Sequence, residues 1–248
     1  MGAVYILWLR QLKRFFRSKA RLIGSLGQPV LFLVALGFGF GPIFQKAGGG
    51  NYIEFLVPGI VAMSILFTST FMGIELIWDK QFGFLKETLV APVSRLRIMI
   101  GRTLGGATVA VFQGIIIFLI SLIVGFRPKS ISLLIPALFF MAIIAVIFTA
   151  LGTAIASLLE DMHGFQLIVN FLIMPTFFLS GALFPLKDLP RAITITAAVN
   201  PLAYGVDALR ETMTGISHFG LAGDTAVLCA VAALFLAIGS YLFTKIQI

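Results

Sequence analysis

Residues Phe55 to Ile77 read FLVPGIVAMSILFTSTFMGIELI, a run that carries a single charge, Glu75. At 1.5 Å per helical residue the run covers ~34 Å, enough to cross a ~30 Å hydrocarbon core. Five more runs of this kind lie around it, at about Ile23 to Phe44, Leu104 to Phe126, Ile131 to Leu159, Phe165 to Phe184 and Thr225 to Phe243. The expected fold class is therefore an all-α integral membrane protein with six transmembrane helices. Composition points the same way. The chain has 248 residues, of which 59% are hydrophobic and 11% charged, with a mean hydropathy of +1.06. A soluble domain carries ~25% charged residues, so a chain this poor in charge could not cover a water-facing surface.

The net charge is +8. In a soluble protein that would suggest nucleic acid, but here the basic residues concentrate at the N-terminus and in one loop, so topology explains them. Arg10, Lys13, Arg14, Arg17, Lys19 and Arg21 precede the first run; Lys80, Lys86, Arg95, Arg97 and Arg102 lie between the second and third; Lys245 follows the last. The positive-inside rule then places the N- and C-termini in the cytoplasm of a multi-pass protein of the cytoplasmic membrane. No nucleic-acid partner is expected. The single cysteine, Cys229, sits in an apolar run and excludes an internal disulfide framework or a cysteine zinc site. The N-terminal charges follow an apolar start and no small-residue cleavage site ends the next run, so a cleaved signal peptide is not expected.

Residues 1–22 form the first unit. At 100° per residue Val4, Tyr5, Trp8, Leu9, Leu12, Phe15 and Phe16 share one arc, while Arg10, Lys13, Arg14, Arg17 and Arg21 share the opposite one. Lys19 breaks the pattern. This layout fits an amphipathic helix lying in the membrane interface with its cations toward anionic headgroups. The plainer alternative is a juxtamembrane tail that only sets orientation. Two connections are too long and too patterned for simple turns. Asp79 to Arg102 is a structured cytoplasmic segment. Residues 187–223 hold Pro190, Asn200-Pro201, Asp207, Arg210 and Glu211 among apolar stretches, and read as short helices on the outer face, able to dip into the bilayer where protein or water satisfies the backbone.

Chemistry-bearing patterns are scarce. His163 and His218 fall on opposite sides of the membrane by this topology, and no metal site or catalytic residue is expected. Nothing matches the phosphate-cradling G-x-x-x-x-G-K-[ST], so no cofactor is expected in this chain and no nucleotide hydrolysis by it. A secondary transporter needs ionisable carriers within its spans. The runs offer only Glu75, a turn from the inner end of the second, where it could pair with a cation such as Lys80 or play a functional part. Gln113 and Asn170 are polar positions that face either a partner helix or a substrate path. Gly101, Gly105, Gly106 and Gly152 permit close helix packing.

Several stretches together resemble a known family. Phe55-Leu56-Val57-Pro58-Gly59-Ile60 opens the second run, and Asp79-Lys80-Gln81-Phe82-Gly83-Phe84-Leu85-Lys86-Glu87-Thr88-Leu89-Val90-Ala91-Pro92-Val93-Ser94-Arg95 follows it. Gly101-Arg102 opens the third run. Ser180-Gly181-Ala182-Leu183-Phe184-Pro185-Leu186, Leu189-Pro190 and Asn200-Pro201-Leu202-Ala203-Tyr204 with Asp207-Ala208-Leu209-Arg210 come later. In this order and spacing they resemble the membrane subunit of ABC-2 type transporters, nearest the daunorubicin-resistance and nodulation-factor exporter permeases. The resemblance covers nearly the whole chain, with residues 23–248 as the transmembrane domain.

The resemblance implies a permease that exports a hydrophobic or amphipathic substrate, such as a drug, a lipid or a lipid-linked glycan. It implies a homodimer and a separate ATPase subunit on the cytoplasmic side, which binds ATP and Mg²⁺. The coupling contact maps to Gly83, Glu87, Pro92 and Arg95, within the segment 79–102. The interfacial helix with Arg10, Lys13, Arg14 and Arg17 would touch the same partner. Asn200, Pro201, Tyr204, Asp207 and Arg210 would belong to an external cap over the path. Two other function classes compete. A secondary transporter or channel not coupled to ATP would need charges inside its spans, and a membrane-embedded enzyme would need polar catalytic pairs at matched depths.

Overall fold

The computed structural model describes residues 2–48, 50–186 and 190–246. Among these residues the chain forms eleven helices and no strand. They are α1 (Gly2–Arg17), α2 (Lys19–Lys46), α3 (Tyr52–Phe71), α4 (Ile74–Gln81), α5 (Phe84–Val90), α6 (Arg95–Val124), α7 (Leu134–Leu158), α8 (Met162–Phe178), α9 (Arg191–Val199), α10 (Pro201–Thr214) and α11 (Leu221–Thr244). The all-α membrane architecture read from hydropathy is the one found.

Five helices are long and apolar enough to cross a membrane: α2, the nearly continuous α3–α4 unit, α6, α7 and α11. The 17-residue α8 is shorter but predominantly apolar. Packing shows how the remaining pieces are threaded. The end of α7 and the start of α8 touch α4, because Lys80 bonds the Ala156 carbonyl and Trp78 bonds the Met162 sulfur. The end of α11 touches the start of α6, where Arg95 bonds the Thr244 carbonyl. All of these contacts lie on the face that carries α1. From the end of α7 the chain must reach the far face before α11 can return, and α8 supplies that crossing.

The helices α9 and α10 therefore enter and leave by the far face. They meet at 86°. The far end of α10 is bonded to the loop between α6 and α7, through Lys129 N–H to the Met213 carbonyl at 2.9 Å. Nearer its start, Gly205 lies against Ile144, about 15 Å along α7 from the far face. The pair is a re-entrant hairpin whose second arm is packed into the bundle: Leu202, Val206, Leu209 and Met213 are fully buried. The apolar run expected to continue as helix to Phe184 ends its helix at Phe178. Gly181 then takes φ +74°, and the chain turns in beside Gly59 of α3. The start of the expected external segment, 187–189, lies outside the described residues.

The helix α3 is the axis of the bundle, buried on nearly all sides, whereas α2 and α11 lie at its rim with most of their surface open. The helix α8 is held through one stripe, Phe165, Val169, Ile173 and Phe177, and is otherwise exposed. The amphipathic N-terminal segment ends at Arg17 rather than at residue 22. Ser18 leaves helical geometry and caps α2 by accepting from Arg21 N–H at 3.4 Å. Lys19, which breaks the arc, is the first residue of this second helix.

Candidate functional site

The α1 face of the bundle holds a dense ionic cluster centred on α4. Glu75 and Asp79 are one helical turn apart, so both carboxylates project from one side of α4. Both are 1% exposed. Asp79 accepts from Arg10 at 2.9 Å, from Arg14 at 3.2 Å and from Arg102. Glu75 accepts from Arg21 at 2.5 Å, with Arg14 at 3.9 Å. The indole of Trp78 lies between them, with the Arg14 and Arg21 guanidinium carbons each 5.3 Å from its ring centroid. Four helices thus meet at two carboxylates. Arg10 and Arg14 come from α1, Arg21 from α2, Arg102 from α6, and the acids from α4.

The sequence reading offered Lys80 as a partner for Glu75. The structure gives Glu75 to Arg21 instead. Lys80 turns to the other side of α4, where its Nζ donates to the carbonyls of Ala156, Ser157 and Leu159 at 2.8–3.0 Å. These carbonyls end α7 and lack helical partners, so a cation there satisfies both their hydrogen bonding and the helix dipole. Gln81 adds a bond to the Glu160 carbonyl at 3.0 Å.

Helix α1 is seated by close packing as well as by charge. A Cβ at Gly101 would stand 2.9 Å from the Leu7 Cβ, and one at Gly105 would stand 2.6 Å from the Gln11 Cβ. Only glycine lets α1 and α6 approach this far. Trp8 Nε1 donates to Thr108 at 3.0 Å, and Phe15 and Gln11 are buried in the contact. The apolar arc of α1 therefore covers α6, with Tyr5, Ile6 and Phe16 left exposed at its edge. Lys13 and Arg17 are exposed, while Arg10 and Arg14 turn into the cluster. Burial first, then the Arg14 charge, lowers the Arg10 pKa from its ordinary value, and Glu75 and Glu87 oppose this.

The segment after α4 hangs between two anchors. Gly83 takes φ +79°, a left-handed conformation that side chains disfavour, and turns the chain into α5. Leu85 is buried, but Phe82, Phe84 and Val90 are 71%, 49% and 83% exposed. Glu87 and Pro92 are exposed beside them. At the other end Arg95 bonds the carbonyls of Thr244 and, at 3.2 Å, Ile246. One end of α5 is thus tied to the ionic cluster and the other to the last helix.

At the inner tip of the hairpin, Asn200 joins α9 to α10. Its side chain accepts from Leu202 N–H at 3.0 Å and donates to the Thr176 carbonyl of α8 at 2.6 Å, and Pro201 occupies the first helical position. Tyr204 donates to the Ala198 carbonyl at 2.7 Å and stacks on Phe219 at 4.6 Å. Asp207 accepts from the backbone of His218 and Phe219 at 2.6–2.9 Å. Arg210 donates to the Gly181 carbonyl at 2.9 Å and lies 4.0 Å from the Phe55 ring centroid. The five residues form one strut that fixes the re-entrant hairpin to α3, α8 and the loop before α11.

The polar positions within the runs separate. Gln113 is fully buried and donates to Ser25 of α2, a helix–helix contact. Asn170 is exposed on α8. In the sequence Asp79, Arg21 and Arg102 stood out only as topology or motif residues with no site role, and Trp78 not at all. The signal was present in part: Glu75 and Asp79, four apart, form an acidic face at the end of an apolar run that follows a basic amphipathic segment.

A family model described as ABC-2 type transporter matches residues 2–214, from α1 through α10. "Nodulation protein J" of Rhizobium leguminosarum bv. viciae is 31% identical over 227 residues, covering 91% of this chain and 85% of that protein. "Probable doxorubicin resistance ABC transporter permease protein DrrC" of Mycobacterium tuberculosis is 29% identical over 241 residues, covering 93% and 85%.

Proposed function

The chain belongs to the ABC-2 type transporter family, and on that premise we propose that it is the permease of an exporter driven by ATP hydrolysed on a separate subunit. One relative is named an ABC transporter permease protein. The finer reading is that two copies form the path, in the cytoplasmic membrane with both termini inside. ATP and Mg²⁺ belong to the ATPase subunit. The cargo is hydrophobic or amphipathic, in keeping with one relative named for doxorubicin resistance and another for nodulation.

The observation that carries this reading is the suspension of α5. Three exposed apolar side chains, Phe82, Phe84 and Val90, stand beside exposed Glu87 beyond the ends of the spans. Such a patch with a charged rim suits a protein partner. Its two anchors suit force transmission. When ATP closes the paired ATPases, displacement of α5 pulls on Asp79 and Glu75 at one end and on Arg95 at the other. The cluster carries the motion into α1, α2 and α6 together, and the Arg95 bonds carry it into α11. The two bundles then rock against each other and the path opens to the outside. Exposed α2 and α8 faces supply the surface for the second copy.

The test is Glu87→Lys in the chain expressed with its ATPase. Charge reversal at the exposed rim is expected to reduce ATPase co-purification or substrate-stimulated hydrolysis about tenfold, the loss of ~1.4 kcal/mol of docking energy. Full retention of both would remove α5 from the contact.

A further inference from the structure

Between α2 and α3–α4 a cleft of about 410 Å³ opens on the membrane side of the bundle. At its α1-face end stand Arg21 and Trp78. Along its α3 wall the positions Ile74, Phe71, Phe67 and Ser64 climb successive turns, so the cleft rises ~20 Å from the ionic cluster into the bilayer. At its upper end Phe67 lies 6.2 Å from Phe177 of α8, and Phe177 lies 6.4 Å from Phe32 of α2.

The charge at the lower end does not balance. Four arginines share two carboxylates in the cluster, and among the described residues no further acid pairs with them. Arg21 is the arginine of the cluster that lines the cleft. It gives Glu75 a single N–H, and a guanidinium has five to offer. Higher up, the wall is not purely apolar. Ser64 is 1% exposed and its hydroxyl has no hydrogen-bond partner, which costs free energy unless something in the cleft completes it. Thr68 and Gln28 line the same space.

An apolar shaft with a cationic, aromatic foot and a few hydroxyl-binding points matches one kind of molecule. We infer that this cleft binds an amphiphile with an anionic head, such as a phosphate monoester, a sulfate monoester or a free carboxylate, the head on Arg21 beside Trp78 and the tail along Phe67 and Phe71. This rests on reading the chain as a permease, and assigns its cargo a charge. A cationic amphiphile is excluded by the same surplus of arginine. Because Arg21 is shared with Glu75, an anion there weakens the Glu75 bond and so reports occupancy to the cluster that holds α5.

Trp8 and Trp78 are the two tryptophans of the chain, so a Trp8→Phe background leaves Trp78 as the sole reporter inside the cleft. The protein in phosphatidylcholine nanodiscs is titrated with dodecyl phosphate, dodecyltrimethylammonium and inorganic phosphate, following Trp78 emission. Dodecyl phosphate is expected to give a saturable change, and the other two none in its range. Arg21→Gln should weaken it about tenfold, and Arg21→Lys, which keeps the charge, less than about threefold. Gly24→Phe provides a variant that leaves the cluster intact. Gly24 lines the cleft and a Cβ there meets nothing within 4 Å, so the backbone accepts a side chain at this position, and a bulky one is expected to occupy the space and abolish binding. Nanodiscs with phosphatidylglycerol identify the source of the head. Competition assigns it to a bilayer lipid, and no competition assigns it to a distinct amphiphile. The inference is overturned if dodecyltrimethylammonium binds as well as dodecyl phosphate, if inorganic phosphate alone matches it, or if both Arg21→Gln and Gly24→Phe bind normally. None of these readouts uses the ATPase. A cleft that binds anions without any ATPase pairing would refute the permease reading alone, and ATP-driven export with no anion preference would refute this one alone.

Discussion

Replacing Asp79 by asparagine tests the ionic cluster most directly. Asp79 is 1% exposed and accepts from three guanidiniums. Their contributions are unequal. The Arg10 and Arg14 side chains are 38% and 32% exposed, so water screens both. Arg102 is 5% exposed, and Asp79 is its carboxylate partner among the described residues. Removing one member of a buried pair costs ~3–5 kcal/mol, and the amide oxygen keeps one weaker acceptor, which puts Asp79→Asn at about 3 kcal/mol. That shifts the unfolding equilibrium roughly a hundredfold. The assay is equilibrium unfolding of the purified chain in detergent, with hydrogen exchange resolved by helix. Amides of α1 should lose protection first, since both of its inward-turned arginines bond Asp79, while α7 and α11 keep theirs. Leucine at both 79 and 102 removes the pair without stranding an ion and should recover most of the loss. A change below ~0.5 kcal/mol with α1 protection unaltered would refute the argument, because it would mean that glycine packing alone seats the helix.

Three further outcomes follow from single contacts. Gly105→Leu drives a side chain into Gln11 across a gap with no room even for a Cβ; it should cost ~1–3 kcal/mol and expose α1 to protease. Lys80→Met uncaps three carbonyls at the end of α7 and should cost about 1 kcal/mol, with faster exchange confined to the last turn of α7. Arg210→Met cuts the strut between α10 and the Gly181 turn and removes the contact with Phe55. It should cost about 2 kcal/mol in thermal unfolding and loosen the α9–α10 hairpin without disturbing α1.

Much of this architecture was open to reading from composition along the chain. Whether a run of some twenty residues crosses a bilayer depends on its own side chains, because lipid offers backbone groups no partners and apolar side chains no penalty. The six runs, the amphipathic arc of α1 and the basic face follow from local pattern alone.

Tertiary structure decided which charges meet. Arg10 lies 69 residues from Asp79, and Arg95 lies 149 from Thr244; no period or spacing encodes such pairs. Arg10 and Arg14 looked the same as Lys13 and Arg17 in the sequence, yet two turn inward and two outward, because α1 is rotated by its glycine-lined contact with α6. Glu75 lay within reach of Lys80 on its own helix, but the helix dipole of α7 claimed the lysine and left the acid to Arg21. The re-entrant hairpin was legible only as an interruption in hydropathy. Its depth comes from Arg210, Asn200 and the apolar face of α10 packing between α3, α7 and α11. Local sequence determines which segments lipid will accept, while the partner of each buried charge is set by how the helices pack, since an ion inside the bundle is stable only where another helix brings its counterion.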